Sequence, residues 1–257
     1  MRKLMASVTV AVATLAAAPV LAADIPHYPP DIEYVPPVDY DIGGSFYLRG
    51  SAAMNLHWAR EVRHDPAWGE APYDGQVTHL VNQAGYGYSW GVGFGYETGD
   101  GLRFDATVDM LEANGLRITK SAADGTATGD DEEGDYTLML RSTLALANAY
   151  YDFSFGGPAF GYVGAGAGLA FNHAEVNVSP ASVTPIPTGG NITPAAAIMA
   201  GVGYDMGTWV ADVGYRGIWL GSVNNSPTDP AVDPGLWYQI DNNFIHELRG
   251  TVRYRFN

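Results

Sequence analysis

Cysteine is absent from this chain of 257 residues, and positive charge is scarce, with 13 lysine and arginine residues against 28 acidic ones. The absence of cysteine excludes disulfide frameworks, thiolate metal sites and cysteine nucleophiles. The formal net charge of −15 argues against nucleic acid as a partner, because no basic surface would neutralise phosphates. Charged residues make up only 16% of the chain, against about 25% in average soluble domains.

Long apolar runs are also missing, except at the N-terminus. There Arg2 and Lys3 precede an alanine-rich apolar stretch that ends in small residues at Ala22, so residues 1–22 are predicted to be a secretory signal peptide. A retained membrane anchor is the alternative. Residues 23–43 are acidic and rich in proline, which removes donors from a β-ladder, and we expect a periplasmic linker there. If the mature chain lies in a membrane, it must cross with strands.

Residues 44–257 alternate between apolar and polar positions with a period of two, which is typical of β-strands. Eight segments carry the pattern, and short glycine-containing turns join some of them. Long polar stretches join the others, at about 59–81, 112–135, 173–194 and 221–243. Long and short connections alternate strictly, as they do in successive hairpins. The sequence therefore predicts an all-β fold, an eight-stranded antiparallel up-and-down transmembrane β-barrel.

One row of each predicted strand is apolar and contains no Asp, Glu, Lys or Arg. A soluble barrel would turn these rows inward, whereas a membrane barrel turns them to lipid, where Arg or Lys costs about 2–4 kcal/mol at mid-bilayer. Aromatic residues cluster near strand ends, for example Phe46 and Trp58 in the first strand, and such rings prefer the membrane boundary. We therefore assign the apolar rows to lipid, with Leu140 and Val213 outward at mid-strand.

The opposite rows carry charges of both signs, and we expect them to face the interior. Eight strands leave a lumen just wide enough for side chains to fill, and buried charges must pair there or cost several kcal/mol each. We predict a structural network of ion pairs that plugs the barrel, with an ion path as the alternative. Its predicted members are Arg49, Glu97, Arg103, Asp105, Asp109, Arg141, Asp212, Arg216, Glu247, Arg249, Arg253 and Arg255.

The pattern resembles the small outer-membrane barrels similar to the OmpA transmembrane domain, and more closely the porin-like surface antigens of the same eight-stranded form. The resemblance covers residues 44–257 and depends on the alternation, the hairpin layout and the last strand, HELRGTVRYRF, which ends in Phe256. It implies an outer-membrane location, contact with lipid and lipopolysaccharide, and recognition of the last strand by the outer-membrane assembly machinery. No peptidoglycan-binding domain follows, so we expect the single-domain form.

No catalytic, cofactor-binding or metal-binding residue is predicted. His57, His64 and His79 lie near the first long stretch without the tight spacing of metal ligands. Some barrels of this size modify lipid with a His–Ser pair, but His246 has no such motif and no third member. We expect a non-enzymatic barrel that supports envelope integrity and presents surface loops. A narrow porin-like channel for small solutes is the first alternative, and a lipid A-modifying enzyme is the second.

Overall fold

The computed structural model describes residues 43–64, 77–120, 134–179, 188–225 and 238–256. The predicted signal peptide and nearly all of the predicted linker lie outside these residues. The described segments form the following β-strands: β1 (Ser45–Trp58), β2 (Glu61–His64), β3 (Val77–Leu80), β4 (Gly85–Glu97), β5 (Leu102–Lys120), β6 (Gly134–Ser154), β7 (Ala159–Ser179), β8 (Gly189–Asp205), β9 (Trp209–Leu220), β10 (Val223–Asn224), β11 (Tyr238–Asp241) and β12 (Asn243–Phe256). Within the described residues, no helix is long and apolar enough to cross a bilayer.

Eight of these strands close a barrel in the order β1-β12-β9-β8-β7-β6-β5-β4. Every neighbouring pair is antiparallel, and β1 pairs with both β12 and β4, so the described barrel has no unpaired edge. Closure matters in lipid, because an open edge would leave backbone donors and acceptors without partners. The predicted eight-stranded antiparallel barrel is confirmed.

Short turns gather at one end of the barrel and long connections at the other. The turn between β4 and β5 contains Gly99 and Gly101, with φ of 84° and 99°, a left-handed conformation that glycine adopts at little cost. Outer-membrane barrels keep their short turns in the periplasm, so we call this end periplasmic and the other end outer. The predicted alternation of short and long connections is confirmed.

The predicted long stretches were too wide, because the barrel strands continue into two of them. β5 extends to Lys120 and β6 begins at Gly134, whereas the sequence suggested a connection over 112–135. β5 absorbs one irregular position at Gly115, whose φ is 90°, and the β5–β6 register shifts there. Such a bulge moves the alternation by one residue, and this made the outer half of β5 difficult to recognise.

The exterior of the barrel is apolar. Large side chains such as Leu48, Val92, Ile198 and Val213 are about half exposed on the outer surface. A soluble monomer rarely exposes contiguous apolar patches above a few hundred Å², whereas here they surround the barrel as a lipid-facing band should. The face assignment made from sequence agrees with the structure in every barrel strand except β6.

In β6 the predicted face is wrong. Leu138, Leu140, Leu144 and Leu146 are buried inside the barrel. The outward row is instead formed by Arg141, Thr143, Ala145, Ala147 and Ala149.

The volume available inside the barrel beside β7 explains why the two rows of β6 are reversed. β7 turns a glycine row inward beside β6, and a Cβ added at Gly164 would meet the Tyr150 ring, while one at Gly166 would meet the Asn148 carboxamide. Tyr150 and Asn148, which continue the inward leucine row of β6, fill the volume that these glycines leave open, because protein interiors are close-packed.

The long connections contain a second, four-stranded sheet in the order β10-β11-β2-β3. Its buried residues Val62, Val223, Tyr238 and Ile240 belong to the same apolar cluster as the inward leucines of the barrel. Burial raises the pKa of the Tyr238 hydroxyl, and the nearby Glu175 carboxylate adds to this. The sheet therefore continues the barrel core beyond the outer end, a feature that strand alternation did not predict.

Candidate functional site

The centre of the lumen holds four charged side chains from three strands. Arg216 Nη1 lies 2.8 Å from Asp109 Oδ2, and Arg216 Nε lies 2.7 Å from Glu247 Oε2. Arg249 forms a second ion pair with Asp109. The Ser89 hydroxyl donates to Glu247 Oε1 at 2.6 Å. All four charges are almost completely enclosed, so they neutralise one another in a space without bulk water.

A second cluster lies nearer the periplasmic end, around Asp105. Arg49 Nη1 lies 2.8 Å from Asp105 Oδ2 and also donates to the Tyr150 hydroxyl oxygen at 2.7 Å. The Tyr47 hydroxyl donates to Asp105 Oδ2 at 2.9 Å, and Asn148 Nδ2 donates to Oδ1 at 2.7 Å. One carboxylate thus accepts three different donors, which satisfies most of its hydrogen-bonding capacity.

Arg103 connects this cluster to the next layer. It donates to both carboxylate oxygens of Asp152, from Nη2 at 3.0 Å and from Nε at 3.2 Å. Its guanidinium also lies 4.1 Å from the ring centroid of Tyr150, which is cation–π geometry. This bidentate and stacked arrangement suits arginine and not lysine.

Arg253 and Arg255 close the periplasmic end. Arg253 is 1% exposed, with its nearest carboxylate oxygens at 3.5 Å on Glu97 and 3.8 Å on Asp212. Arg255 pairs with Glu97 as well and lies 2.6 Å from Asp205 Oδ2. The cations and carboxylates therefore continue from the barrel centre to its rim.

All of the residues predicted for the lumen network lie on the inward face except Arg141. The Arg141 side chain is 56% exposed on the outer surface, with its Nε 3.9 Å from Glu112 Oε2. That prediction was wrong for the reason given for β6, whose rows are reversed. The residues missed are mainly neutral partners, such as Tyr47 and Asn148, together with Asp152. An inward position in the strand register was the signal that could have identified them.

The histidines considered in the sequence analysis form no catalytic or metal-binding group among the described residues. His57 is buried, with Nε2 lying 3.0 Å from Asn243 Oδ1, and the side chains of His64 and His79 lie outside the described part of the chain. His246 Nδ1 lies 2.8 Å from the Tyr215 hydroxyl, and no described hydrogen bond joins His246 to a serine. No cluster of three metal-ligating side chains occurs within the described ranges.

Inward glycines make room for the network, and this gives a testable contrast. A Cβ at Gly91 would contact the Asp109 carboxylate, whereas nothing lies within 4 Å of a Cβ at the outward Gly50. We expect Gly91→Ala to destabilise the barrel by about 1–3 kcal/mol through overpacking. Gly50→Ala should be neutral or stabilise by up to about 1 kcal/mol. Urea unfolding in detergent micelles measures both, and equal effects would contradict the inward position of Gly91.

Comparison with known proteins gives several sequence relatives from Brucella and a group of more distant structural neighbours. No protein-family model matches the chain. An uncharacterised protein of Brucella abortus strain 2308 is 30% identical over 243 residues, which covers 82% of this chain and 84% of the relative. Neisserial surface protein A is 22% identical, with a TM-score of 0.44 over 83% of this chain and 99% of its own. OprG from Pseudomonas aeruginosa is 11% identical, with a TM-score of 0.46 over 83% of this chain and 97% of its own.

Proposed function

Because this chain is a β-barrel of the bacterial outer membrane and belongs to the same family as the Brucella abortus protein, we propose that it is a closed, non-enzymatic structural barrel. In this proposal the barrel supports the integrity of the envelope, and its long outer connections form a surface available for contact outside the cell. The observation that carries the proposal is the filled lumen.

Layers of charged side chains follow one another from the periplasmic end outward. Arg255 and Arg253 occupy the rim, Arg49 and Asp105 the next layer, and Asp109 with its arginines the centre. Toward the outer end, the apolar cluster of inward leucines and of the four-stranded sheet takes over. An eight-stranded barrel has little width to spare once side chains enter it, so this arrangement favours a plug over a pore.

The ion pairs also join strands that are not neighbours in the barrel. Asp109 on β5 contacts Arg216 on β9 and Arg249 on β12, and neither of these strands pairs with β5. Links across the lumen oppose flattening of the cylinder in addition to the backbone ladder. Such cross-bracing supports a mechanical role in the envelope.

Two partners belong to the proposal. Phe256 is the last residue of β12, points outward and is 46% exposed, so this strand offers an aromatic residue to the assembly machinery of the outer membrane. The apolar band contacts outer-membrane lipid and lipopolysaccharide. Nucleic acid is not a proposed partner, because the net charge of −15 disfavours contact with phosphate backbones.

Single-channel recording in planar bilayers tests the plug. We expect purified wild-type protein to give no discrete conductance steps. The double variant Arg216→Ala/Glu247→Ala removes one cation and one anion from the lumen centre, and we expect it to conduct because water can then enter. Discrete steps from the wild-type protein would overturn the closed-barrel proposal in favour of a narrow channel.

The non-enzymatic part has its own test. Incubation of the barrel with lipopolysaccharide, followed by mass spectrometry of lipid A, is expected to leave the lipid A masses unchanged. A shifted mass that disappears in His246→Ala would establish a lipid-modifying activity instead.

A further inference from the structure

A row of polar side chains crosses four adjacent strands on the lipid-facing surface of the barrel. The strand registers pair Tyr88 with Glu112, Glu112 with Arg141, and Arg141 with His173. Directly paired residues bring their Cβ atoms to about 4.5–5.5 Å. The Tyr88 hydroxyl also reaches Glu112 Oε2 at 3.4 Å. The lumen network uses none of these side chains.

This row lies at the outer boundary of the apolar band. Along β6, about ten residues separate Arg141 from Tyr151 near the periplasmic end, and at 3.3 Å per residue with a tilt near 40° the rise is about 25 Å. That rise equals the height of the apolar band in outer-membrane barrels, about 25 Å. Arg141 is therefore placed where lipid headgroups begin, and there an outward arginine costs about 0–1 kcal/mol.

The guanidinium of Arg141 is available to an anion. Its side chain is 56% exposed, and its contact with Glu112, at 3.9 Å, is too long for a hydrogen bond. Among the described residues, no hydrogen bond uses the Arg141 guanidinium. Arginine presents donors in a planar fork that matches phosphate. His173, next in the row, adds ring nitrogens on the side away from Glu112.

The row lines part of a groove of about 320 Å³, whose lining also includes Trp90, Met110 and Phe171. These three side chains are each about half exposed on the outer surface. The groove thus has an apolar wall in the hydrocarbon region, and Glu112, Arg141 and His173 line it at the headgroup level. The side of Arg141 that faces His173 and not Glu112 suits the anionic head of an amphiphile.

We propose that this groove binds a phosphate-bearing lipid of the outer leaflet, namely the lipid A part of lipopolysaccharide. The lipid phosphate accepts hydrogen bonds from Arg141 with His173 beside it, and an acyl chain lies against Trp90 and Phe171. Glu112 lies on the other side of Arg141, 3.9 Å away, and leaves the His173 side open to the anion. This inference rests on the outer-membrane location and not on whether the lumen conducts.

Native mass spectrometry of the barrel in detergent micelles, titrated with purified lipid A, tests the site. We expect Arg141→Gln to weaken lipid A binding about tenfold, because charge-assisted hydrogen bonds to phosphate are lost, and Arg141→Lys to retain part of the affinity. The control is Arg117→Gln, since Arg117 also lies on the outer surface, 3.7 Å from Asp135, but does not belong to the lining of the groove. It should leave binding within twofold.

Two further titrations identify which part of the lipid the groove binds. Dephosphorylated lipid A should bind the wild-type barrel no better than intact lipid A binds Arg141→Gln, and inorganic phosphate should compete poorly because it lacks the acyl chains. Equal binding of the dephosphorylated lipid, efficient competition by inorganic phosphate, or unchanged lipid A binding by both Arg141→Gln and His173→Gln would each overturn the proposal. Heat-modifiable gel migration verifies that every variant is folded.

Discussion

Val213→Arg is expected to prevent stable insertion of the barrel into bilayers. Val213 points outward near the middle of β9, with half of its side chain exposed to the membrane side. An arginine on the lipid face costs about 2–4 kcal/mol at the bilayer midplane, a large fraction of a typical folding stability of about 5–15 kcal/mol. The fraction of protein that migrates as a compact, heat-modifiable band after refolding into lipid vesicles measures the effect.

The matched controls separate charge from shape and depth. Val213→Leu keeps an apolar side chain at the same position and should refold as the wild type does. Asn177→Arg places the same charge on the exposed outer part of β7, where the cost falls to about 0–1 kcal/mol. If Val213→Arg refolded as well as Asn177→Arg, β9 could not present Val213 to hydrocarbon.

Asp109→Asn is expected to lower the free energy of unfolding by about 3–5 kcal/mol, because it leaves buried charges without their partner. Asp109 is the carboxylate shared by Arg216 and Arg249. After the substitution, Glu247 alone must compensate two enclosed guanidinium groups. Urea titration in detergent micelles, followed by tryptophan fluorescence, gives the change in free energy.

The comparison for this prediction is an exposed ion pair of the same barrel. Asp135 lies 3.7 Å from Arg117, and both side chains are about 40% exposed, so Asp135→Asn should cost less than about 1 kcal/mol. Similar losses in the two variants would mean that water reaches Asp109 and that the lumen is not filled as described.

The barrel itself could be predicted from the sequence because alternation and connection length are local properties of the chain. β6 shows where local information ends. One row of β6 is mainly leucine and the other mainly alanine and threonine. Arg141 is the charged residue in the middle of the strand, whereas Asp135 and Asp152 lie near its ends, and neither row excludes lipid on composition alone. The deciding quantity is the volume left open by the inward glycines of the neighbouring β7, such as Gly164 and Gly166. That volume exists only after the two strands are paired.

The network was predictable in its charges and not in its neutral members. Inward arginines and carboxylates stand out against a chain with 16% charged residues, whereas Tyr47 and Asn148 resemble any other strand residue until the register places them against Asp105. The four-stranded outer sheet escaped prediction for a related reason. Its strands β2, β3, β10 and β11 are two to four residues long, too short to show a period of two.

The central claim is that the apolar rows of the strands face hydrocarbon while the ionic rows are enclosed, and β6 tests it most sharply. Because the chain has no cysteine, single cysteines can be introduced from position 144 to position 149 and spin-labelled in lipid bilayers. Collision rates with oxygen, which concentrates in lipid, should be high for Ala145→Cys, Ala147→Cys and Ala149→Cys. They should be low for Leu144→Cys and Leu146→Cys, and a water-soluble nickel chelate should reach none of these labels. High oxygen accessibility at the leucine positions instead would contradict the enclosed interior described here.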